Sequence, residues 1–265
     1  MKTCFVSIDV EHDASTQGAK TFQGIDSVGR ILDIFEKFNI PTTLFVTGDV
    51  LEKYGDKVKE WAKKYEIASH SFSHIYFNEL SDFSKEEDIK KFIAIYGRIL
   101  GARPLGFRAP SHVIDEYTFG LLAQYGFTYD SSVVPHYPYF KMYRGYGGIA
   151  PTVPYIPQPH NIRKREAMGG KGRILEIPVS GQILGIPLAG AWIRKLPIPL
   201  YKILFVLYKP DFITLSMHSW DALDARFLPK LIKILEILRN SGYVFKSGEQ
   251  IATELSSGAM EKPVG

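Results

Sequence analysis

Short apolar segments alternate with amphipathic helical segments along almost the whole chain, and this alternation constrains the fold more than any other feature. Eight short segments rich in β-branched and aromatic residues adjoin turn signals or helical patterns, as parallel strands in βα units do. These predicted strands are residues 3–9, 43–47, 66–69, 105–108, 128–130, 174–178, 212–217 and 243–245. The pattern predicts an α/β fold, a single distorted (β/α) barrel with seven or eight parallel strands. A doubly wound open sheet is the main alternative.

The domain organisation follows from length and from the absence of a linker. The 265 residues could form two average domains, but α/β barrels of about 250 residues form one. We therefore expect one barrel over residues 1–255, with a long loop insertion at 131–173 and a flexible tail at 256–265. The insertion is rich in Tyr, Pro, Gly and basic residues, and such long loops are more often functional than not. Residues 183–208 are apolar with Pro, Trp and Tyr, which is typical of a broken amphipathic helix.

Polar side chains suited to catalysis stand at the ends of five predicted strands. They are Asp9, His70, Arg108, Asp130 and His218. In a barrel of parallel strands the carboxyl ends of all strands lie on one face, where barrel enzymes place their active sites. We therefore expect these side chains to converge.

Two histidines four residues apart, His70 and His74, form the clearest motif. If the segment is helical, both side chains project from the same side, and the spacing suits one divalent metal ion. A catalytic zinc takes three protein ligands and leaves one position open, so one carboxylate would complete the set. Asp9 and Glu11 face the same side of an extended chain, so that one can bind the metal while the other accepts a proton. Alternative ligands are His12 and Asp13.

Charge is unevenly distributed, although the net charge is only +4. Residues 141–210 contain eleven Lys and Arg against two Glu, a local charge of +9, so the remainder carries −5. This stretch predicts either a solvated basic face or a surface for an anionic partner, such as a phosphate-bearing substrate or a lipid headgroup. The apolar and basic residues of 183–208 predict peripheral membrane contact. We expect no nucleic-acid partner, because no recognition motif accompanies the basic residues.

The composition is that of a globular protein that folds without disulfides. Hydrophobic residues make up 45% and charged residues 23%, which excludes a disordered or collagen-like chain, and a single cysteine cannot form an internal disulfide. The chain begins with a predicted strand instead of a signal peptide, and it has no apolar run long enough for a transmembrane helix. We therefore expect a cytoplasmic location, with any membrane contact at the inner face.

The motifs resemble those of polysaccharide deacetylases of the NodB-homology group, carbohydrate esterase family 4. The resemblance covers nearly the whole chain and is carried by five segments. These are Asp9 with Glu11, His70-Ser71-Phe72-Ser73-His74, Arg108-Ala109-Pro110, Tyr129-Asp130-Ser131-Ser132 and Leu215-Ser216-Met217-His218. Two features depart from the family pattern. Many members place the two acidic residues side by side, whereas Val10 separates them here. The Arg-x-Pro motif is often followed by an aromatic residue, whereas Ser111 and His112 follow it here.

The resemblance implies a role for each residue. The implied metal ligands are Glu11, His70 and His74, with Zn²⁺ as the expected ion, and the implied catalytic residues are Asp9, Arg108 and His218. Asp9 would act as the base, Arg108 would keep Asp9 ionised, and His218 would donate a proton to the leaving amine. Weaker candidates for orienting or binding the substrate are Asp130, His112 and Trp192.

The predicted function is therefore a metal-dependent amide hydrolase that removes an N-acetyl group from a sugar of a polysaccharide or glycan precursor. The basic stretch suits an anionic or lipid-linked glycan. Two alternatives stay open. One is a deformylase or an allantoinase-like cyclic-amide hydrolase on the same fold, and the other is a non-catalytic glycan- or lipid-binding module.

Overall fold

The computed structural model describes residues 2–13, 21–135, 149–166, 174–180 and 188–256 of the chain. Parts of the predicted insertion, of the 183–208 segment and of the tail lie outside these residues, so the predicted domain limits stay predictions.

Ten strands occur in the described ranges. In chain order they are β1 (Lys2–Val10), β2 (Thr43–Val46), β3 (Glu66–Ser69), β4 (Gly106–Phe107), β5 (Tyr129–Asp130), β6 (Pro157–Gln158), β7 (Asn161–Arg165), β8 (Leu175–Glu176), β9 (Phe212–His218) and β10 (Tyr243–Lys246). Eight of them form one parallel sheet and correspond to the eight predicted strands. The other two, β6 and β7, pair as an antiparallel hairpin inside the predicted loop insertion.

Strand β1 is the centre of the sheet. It pairs with β9 from Thr3 to Asp9, with β10 through its first half and with β2 through its second half. From β2 the order continues through β3, β4, β5 and β8. The residues after β8 contact β9, where the Thr214 N–H donates to the Ser180 carbonyl at 2.8 Å. The sheet thus curls into a distorted (β/α) barrel of eight parallel strands, which confirms the predicted fold class.

Nine α-helices surround the sheet in the described part of the chain. They are α1 (Gln23–Ser27), α2 (Gly29–Lys37), α3 (Gly48–Ala62), α4 (Asp82–Leu100), α5 (Glu116–Gln124), α6 (Gly190–Lys195), α7 (Ile198–Leu207), α8 (Phe227–Asn240) and α9 (Gly248–Ser256). The predicted broken helix is present as α6 and α7, and Pro197 at the start of α7 accounts for the break. None of the helices among the described residues is long and apolar enough to cross a membrane.

The alternation of side chains along β1 positions the polar residues inside the barrel. Cys4 and the apolar residues at every second position after it pack against the surrounding helices. Phe5 points the other way, into a core that it shares with Phe45, Tyr129 and Ile251 of α9. Because strand side chains alternate with a period of two, Asp9 lies on the same inner side as Phe5. The strand thus carries a carboxylate to the open, carboxyl end of the barrel.

Candidate metal centre and active site

The two predicted metal-binding histidines converge in a loop. β3 ends at Ser69, and the chain then turns through two residues with positive φ, Ser71 at 64° and His74 at 58°. The helical geometry considered for the His70–His74 segment is therefore wrong, although the two side chains do meet. Such backbone angles are unfavourable for residues other than glycine, so the loop needs support from its surroundings.

Asp88 of α4 supplies that support. Its carboxylate accepts hydrogen bonds from the Phe72 N–H at 2.7 Å, from the Ser73 N–H at 2.9 Å and from the Ser73 hydroxyl. Within the loop, the His74 N–H donates to Ser71 Oγ at 3.0 Å. These bonds hold the two histidines in their converging arrangement.

Glu11, His70 and His74 form a cluster of potential metal ligands, of which Glu11 and His70 are buried and His74 is partly buried. One ligand atom from each residue lies within 4.8 Å of the others. His70 Nε2 is 3.3 Å from Glu11 Oε2, and His74 Nε2 contacts the same oxygen. His70 Nδ1–H donates to the Arg108 carbonyl at 2.8 Å. If a bound metal ion takes the place of the proton on Nε2, this bond keeps the remaining proton on Nδ1 and leaves the lone pair of Nε2 for the ion.

The cluster fits a divalent cation in charge as well as in position. Burial alone would raise the pKa of Glu11, but the charges and hydrogen bonds of His74 and His70 hold it well below its usual value. Glu11 Oε2 is buried, and the Nε2 atoms of both histidines point at it. One anionic oxygen and two nitrogen ligands form a common zinc set.

The two rival ligands have other surroundings. Asp13 accepts hydrogen bonds from the Thr21 hydroxyl and from the N–H groups of Gln23 and Gly24, so its carboxylate supports the start of α1. His12 packs edge-on against the His74 ring, with ring centroids 5.0 Å apart. Among the described residues the ligand cluster consists of Glu11 and the two histidines.

Asp9 and Arg108 form a buried ion pair beside this cluster. Arg108 Nη1 donates to Asp9 Oδ1 at 2.7 Å and to Ser7 Oγ at 2.9 Å, while Nε and Nη2 donate to the carbonyl and hydroxyl oxygens of Ser131. The guanidinium carbon lies 4.1 Å from the centre of the Phe45 ring. Burial raises the pKa of Asp9, but the charges of Arg108 and His70 outweigh it and lower the pKa below its usual value. Asp9 is therefore ionised in the folded protein.

His218 stands at the rim of the cluster. Its Nε2 is 3.8 Å from Glu11 Oε1, and its side chain is 37% exposed. The ring stacks on Trp220 with centroids 4.3 Å apart and planes 12° from parallel. The His218 N–H donates to Asp221 Oδ2 at 2.8 Å. Trp220 and Asp221 were absent from the sequence prediction, although the close spacing of Asp221 after His218 could have indicated a partner.

His112 belongs electrostatically to the same site. Burial and the nearby charge of Arg108 lower its pKa to about 3, while Asp9 acts in the opposite direction. The imidazole is therefore neutral at ordinary pH. His112 and the preceding Ser111 have positive φ angles of 59° and 50°.

The Asp130 carboxylate accepts hydrogen bonds from the N–H and the hydroxyl of Ser132. Ser132 Oγ in turn accepts the Ala109 N–H at 2.8 Å. On the neighbouring strand, burial and the charge of Asp130 raise the pKa of Glu176 well above its usual value, so Glu176 carries a proton. Asp130 is thus part of the scaffold around Arg108.

Trp192, the last candidate, lies on α6 and is 40% exposed. The first residue of that helix, Gly190, packs directly against Asp221. Trp192 is therefore a partly exposed residue of a helix that approaches Asp221.

Together these features define a class of protein: a distorted (β/α) barrel whose open end carries a candidate metal cluster, a buried carboxylate and a solvent-accessible histidine. The sequence model of a family described as polysaccharide deacetylase matches residues 21–129. Residues 21–129 are therefore similar to the polysaccharide deacetylases, which confirms the resemblance found in the motifs.

Individual relatives agree with this relationship. A peptidoglycan deacetylase-like protein, FGM2, from Gibberella zeae is 34% identical over 125 residues, which are 46% of this chain and 37% of that protein. A peptidoglycan deacetylase from Helicobacter pylori is 25% identical over 169 residues, 63% of this chain and 57% of that protein. The chain thus matches less than two thirds of the length of either relative.

A solved structure shows the same fold. A putative polysaccharide deacetylase from Mycobacterium smegmatis superimposes with a TM-score of 0.69 at 20% identity, over 99% of this chain and 95% of that one.

Proposed function

We propose that the protein is a metal-dependent amide hydrolase that removes the N-acetyl group from a sugar of a polysaccharide or glycan precursor. The observation that carries this proposal is the Glu11–His70–His74 cluster beside the buried Asp9–Arg108 pair. The relationship to polysaccharide deacetylases supports the same substrate class. The names of the two matched relatives refer to peptidoglycan, an N-acetylated glycan.

Glu11, His70 and His74 would hold the metal ion, for which we propose Zn²⁺. When bound, the ion would supply Lewis-acid chemistry, activating water and polarising the amide carbonyl. The chain contributes a preset ligand geometry, because the Arg108 carbonyl fixes the ring of His70 and Asp88 fixes the loop of His74.

Asp9 would accept the proton of the attacking water. Its Oδ1 is engaged by Arg108, which makes Oδ2 the acceptor that we propose. Arg108 keeps the carboxylate ionised and fixes its orientation, and both are needed for a general base.

His218 would donate a proton to the amine nitrogen as the amide C–N bond breaks, so that acetate and a free amine are released. Its position at the rim and its exposure allow contact with a sugar amide. The stack on Trp220 restricts rotation of the imidazole.

The test is acetate release from N-acetylated oligosaccharides and lipid-linked N-acetyl sugars, with zinc present and after chelation. We expect Asp9→Asn to bind metal normally while its kcat falls by about 10²–10⁴-fold, the usual contribution of a general base. Asp33→Asn, at an exposed position of α2, is the matched control and should behave as wild type. Full turnover by Asp9→Asn would remove Asp9 from the mechanism.

The two alternatives give different results in the same assay. Formate release from an N-formyl sugar, or opening of a cyclic amide, would identify the deformylase or allantoinase-like activity. Glycan binding without hydrolysis at any metal loading would identify a binding module. The intact pair of histidines favours a metal-dependent reaction over a metal-free one.

We also propose that the α6–α7 segment contacts an anionic membrane surface, which would suit a lipid-linked substrate and a location at the inner membrane face. Three large aliphatic side chains of α7 face solvent: Ile203 is 56% exposed, Val206 70% and Leu207 75%. Residues 188–210 contain four Lys and Arg and no acidic residue. Exposed aliphatic side chains among lysines are typical of interfacial helices.

Co-sedimentation with vesicles tests this contact. We expect binding to phosphatidylglycerol vesicles at low salt and none to neutral phosphatidylcholine vesicles. Val206→Asp should abolish the binding, whereas Val244→Asp, at an exposed apolar position of β10, should not. Wild-type protein that stays in the supernatant with anionic vesicles would refute the proposal.

A further inference from the structure

Helix α6 is docked alongside the end of β9 that carries His218. Ala189, just before the helix, forms a parallel bridge with Ser216, and the Ser216 N–H donates to the Leu188 carbonyl at 3.2 Å. Ser216 lies two residues before His218. The helix therefore begins beside the open end of the barrel.

The side chain of Asp221 is completely buried between this helix and His218. One of its oxygens, Oδ2, accepts the His218 N–H at 2.8 Å and lies 3.9 Å from His218 Nδ1. The other oxygen, Oδ1, lies 3.1 Å from Nη1 of Arg194, which α6 supplies. The carboxylate thus joins α6 to the proposed proton donor.

Both ends of α6 are fixed in a way that presents Arg194 to Asp221. At the amino end, a Cβ added to Gly190 would lie 1.8 Å from Asp221 Oδ2, so only glycine permits this close approach. At the carboxyl end, Lys230 of α8 donates to the carbonyls of Arg194 at 2.7 Å and of Leu196 at 3.0 Å.

The buried carboxylate depends on these cationic and hydrogen-bonding neighbours. Burial raises the pKa of Asp221 above its usual value, and the interactions with His218 and Arg194 offset only part of that rise. Without Arg194, Oδ1 would lose the cation beside it. Asp221 would then take up a proton or rotate, and either change would loosen its bond to the His218 N–H.

We infer that Arg194 is a positioning residue of the proposed active site, which acts through Asp221 to hold His218 in place. This inference rests on the proposed deacetylase function for its effect on turnover, but not for its effect on the structure. It makes α6 part of the site, although α6 contributes none of the candidate metal ligands.

The first test is kinetic and uses wild-type enzyme loaded with zinc. Arg194→Met keeps most of the side-chain length and removes the charge. It should lower kcat about tenfold or more, which is a fraction of the rate that a general acid contributes, and it should change KM by less than about twofold. Arg194→Lys should restore most of the lost kcat. The control is Arg226→Met, since Arg226 forms a similar pair with Asp224 at 2.9 Å but is 76% exposed. Its kcat should equal that of wild type.

A double-mutant cycle distinguishes action through Asp221 from an independent effect. If Arg194 acts through Asp221, Arg194→Met combined with Asp221→Asn should be no slower than Asp221→Asn alone. Additive losses would overturn the inference, as would a wild-type kcat in folded Arg194→Met. A rise in KM for anionic glycans alone would also overturn it, because it would identify Arg194 as a substrate contact.

The second test does not need activity. The backbone N–H of His218 donates a hydrogen bond to Asp221. Its hydrogen exchange should be faster in Arg194→Met than in wild type, and it should be unchanged in Arg226→Met. Thermal unfolding of the same samples shows whether the effect is local. If wild type releases no acetate, the proposed function fails, and the exchange result decides the inference: unchanged exchange at His218 in Arg194→Met refutes it.

Discussion

Replacing Asp88 should weaken metal binding without disturbing any ligand directly. Asp88 lies on α4, and its carboxylate accepts three hydrogen bonds from Phe72 and Ser73 in the loop that ends at His74. Asp88→Ala removes all three bonds and leaves the side chains of Glu11 and His70 unchanged. The variant therefore isolates the support of the loop from the ligands themselves.

The size of the effect follows from the loop geometry. Hydrogen bonds to a charged group contribute about 1.5–3 kcal/mol each, so the two backbone bonds supply about 3–6 kcal/mol. They offset the positive φ angles of Ser71 and His74, which cost about 1–3 kcal/mol each. Without Asp88 the loop relaxes, and metal binding must restore the strained form. We expect an affinity loss near the upper end of the about 10–100-fold range known for residues that support metal ligands. A 100-fold loss corresponds to about 2.8 kcal/mol.

The assay is a zinc competition titration against a chromophoric chelator, with a thermal melt to confirm folding. Glu87→Ala, one residue earlier on the same helix, is the control. The ion pair that Glu87 forms is with Lys90 of the same helix. Folded Asp88→Ala that binds zinc as tightly as wild type would show that the loop keeps its shape without Asp88.

Two further predictions concern stability. Glu176 has a folded pKa well above its usual value. The folded state therefore retains a proton that the unfolded chain loses above a pKa of about 4.3, and this stabilisation declines as pH rises from there to the folded pKa. The free energy of unfolding of Glu176→Gln, measured in urea, should therefore rise relative to that of wild type as the pH is raised from 5 to 8. A difference between the two proteins that does not change with pH would contradict this prediction. Ser81 caps α4 by accepting the Ser84 N–H at 3.2 Å, so Ser81→Ala should cost about 1 kcal/mol in the same measurement. An unchanged midpoint would show that solvent replaces the cap.

The sequence predicted the strands well because each is short, apolar and set off by turns. It also predicted that Asp9, His70, Arg108 and His218 would converge, since the ends of parallel strands share one face. Asp88 could not be found this way, because it acts on Ser73 from a helix 15 residues further along the chain, without a local pattern. The same holds for Arg194, whose partner Asp221 lies beyond α7 and β9.

Other details depended on tertiary contacts that override local patterns. The convergence of His70 and His74 was expected only if their segment were helical, but the loop instead adopts positive φ angles and is held by hydrogen bonds to Asp88. The β6–β7 hairpin occurs in a stretch that is too polar and too rich in Pro and Gly to predict a strand. Tyr155 donates from its hydroxyl to the Ile162 carbonyl at 2.6 Å and thereby ties the hairpin to the chain before it.

Arg108 joins two functions through different parts of the same residue. Its side chain holds Asp9, whereas its backbone carbonyl accepts the Nδ1–H of His70. A substitution changes the side chain and leaves the carbonyl in the chain. We therefore expect an exchange of the Arg108 side chain to remove the support for ionisation of Asp9, the proposed base, while the backbone carbonyl that orients His70 is retained.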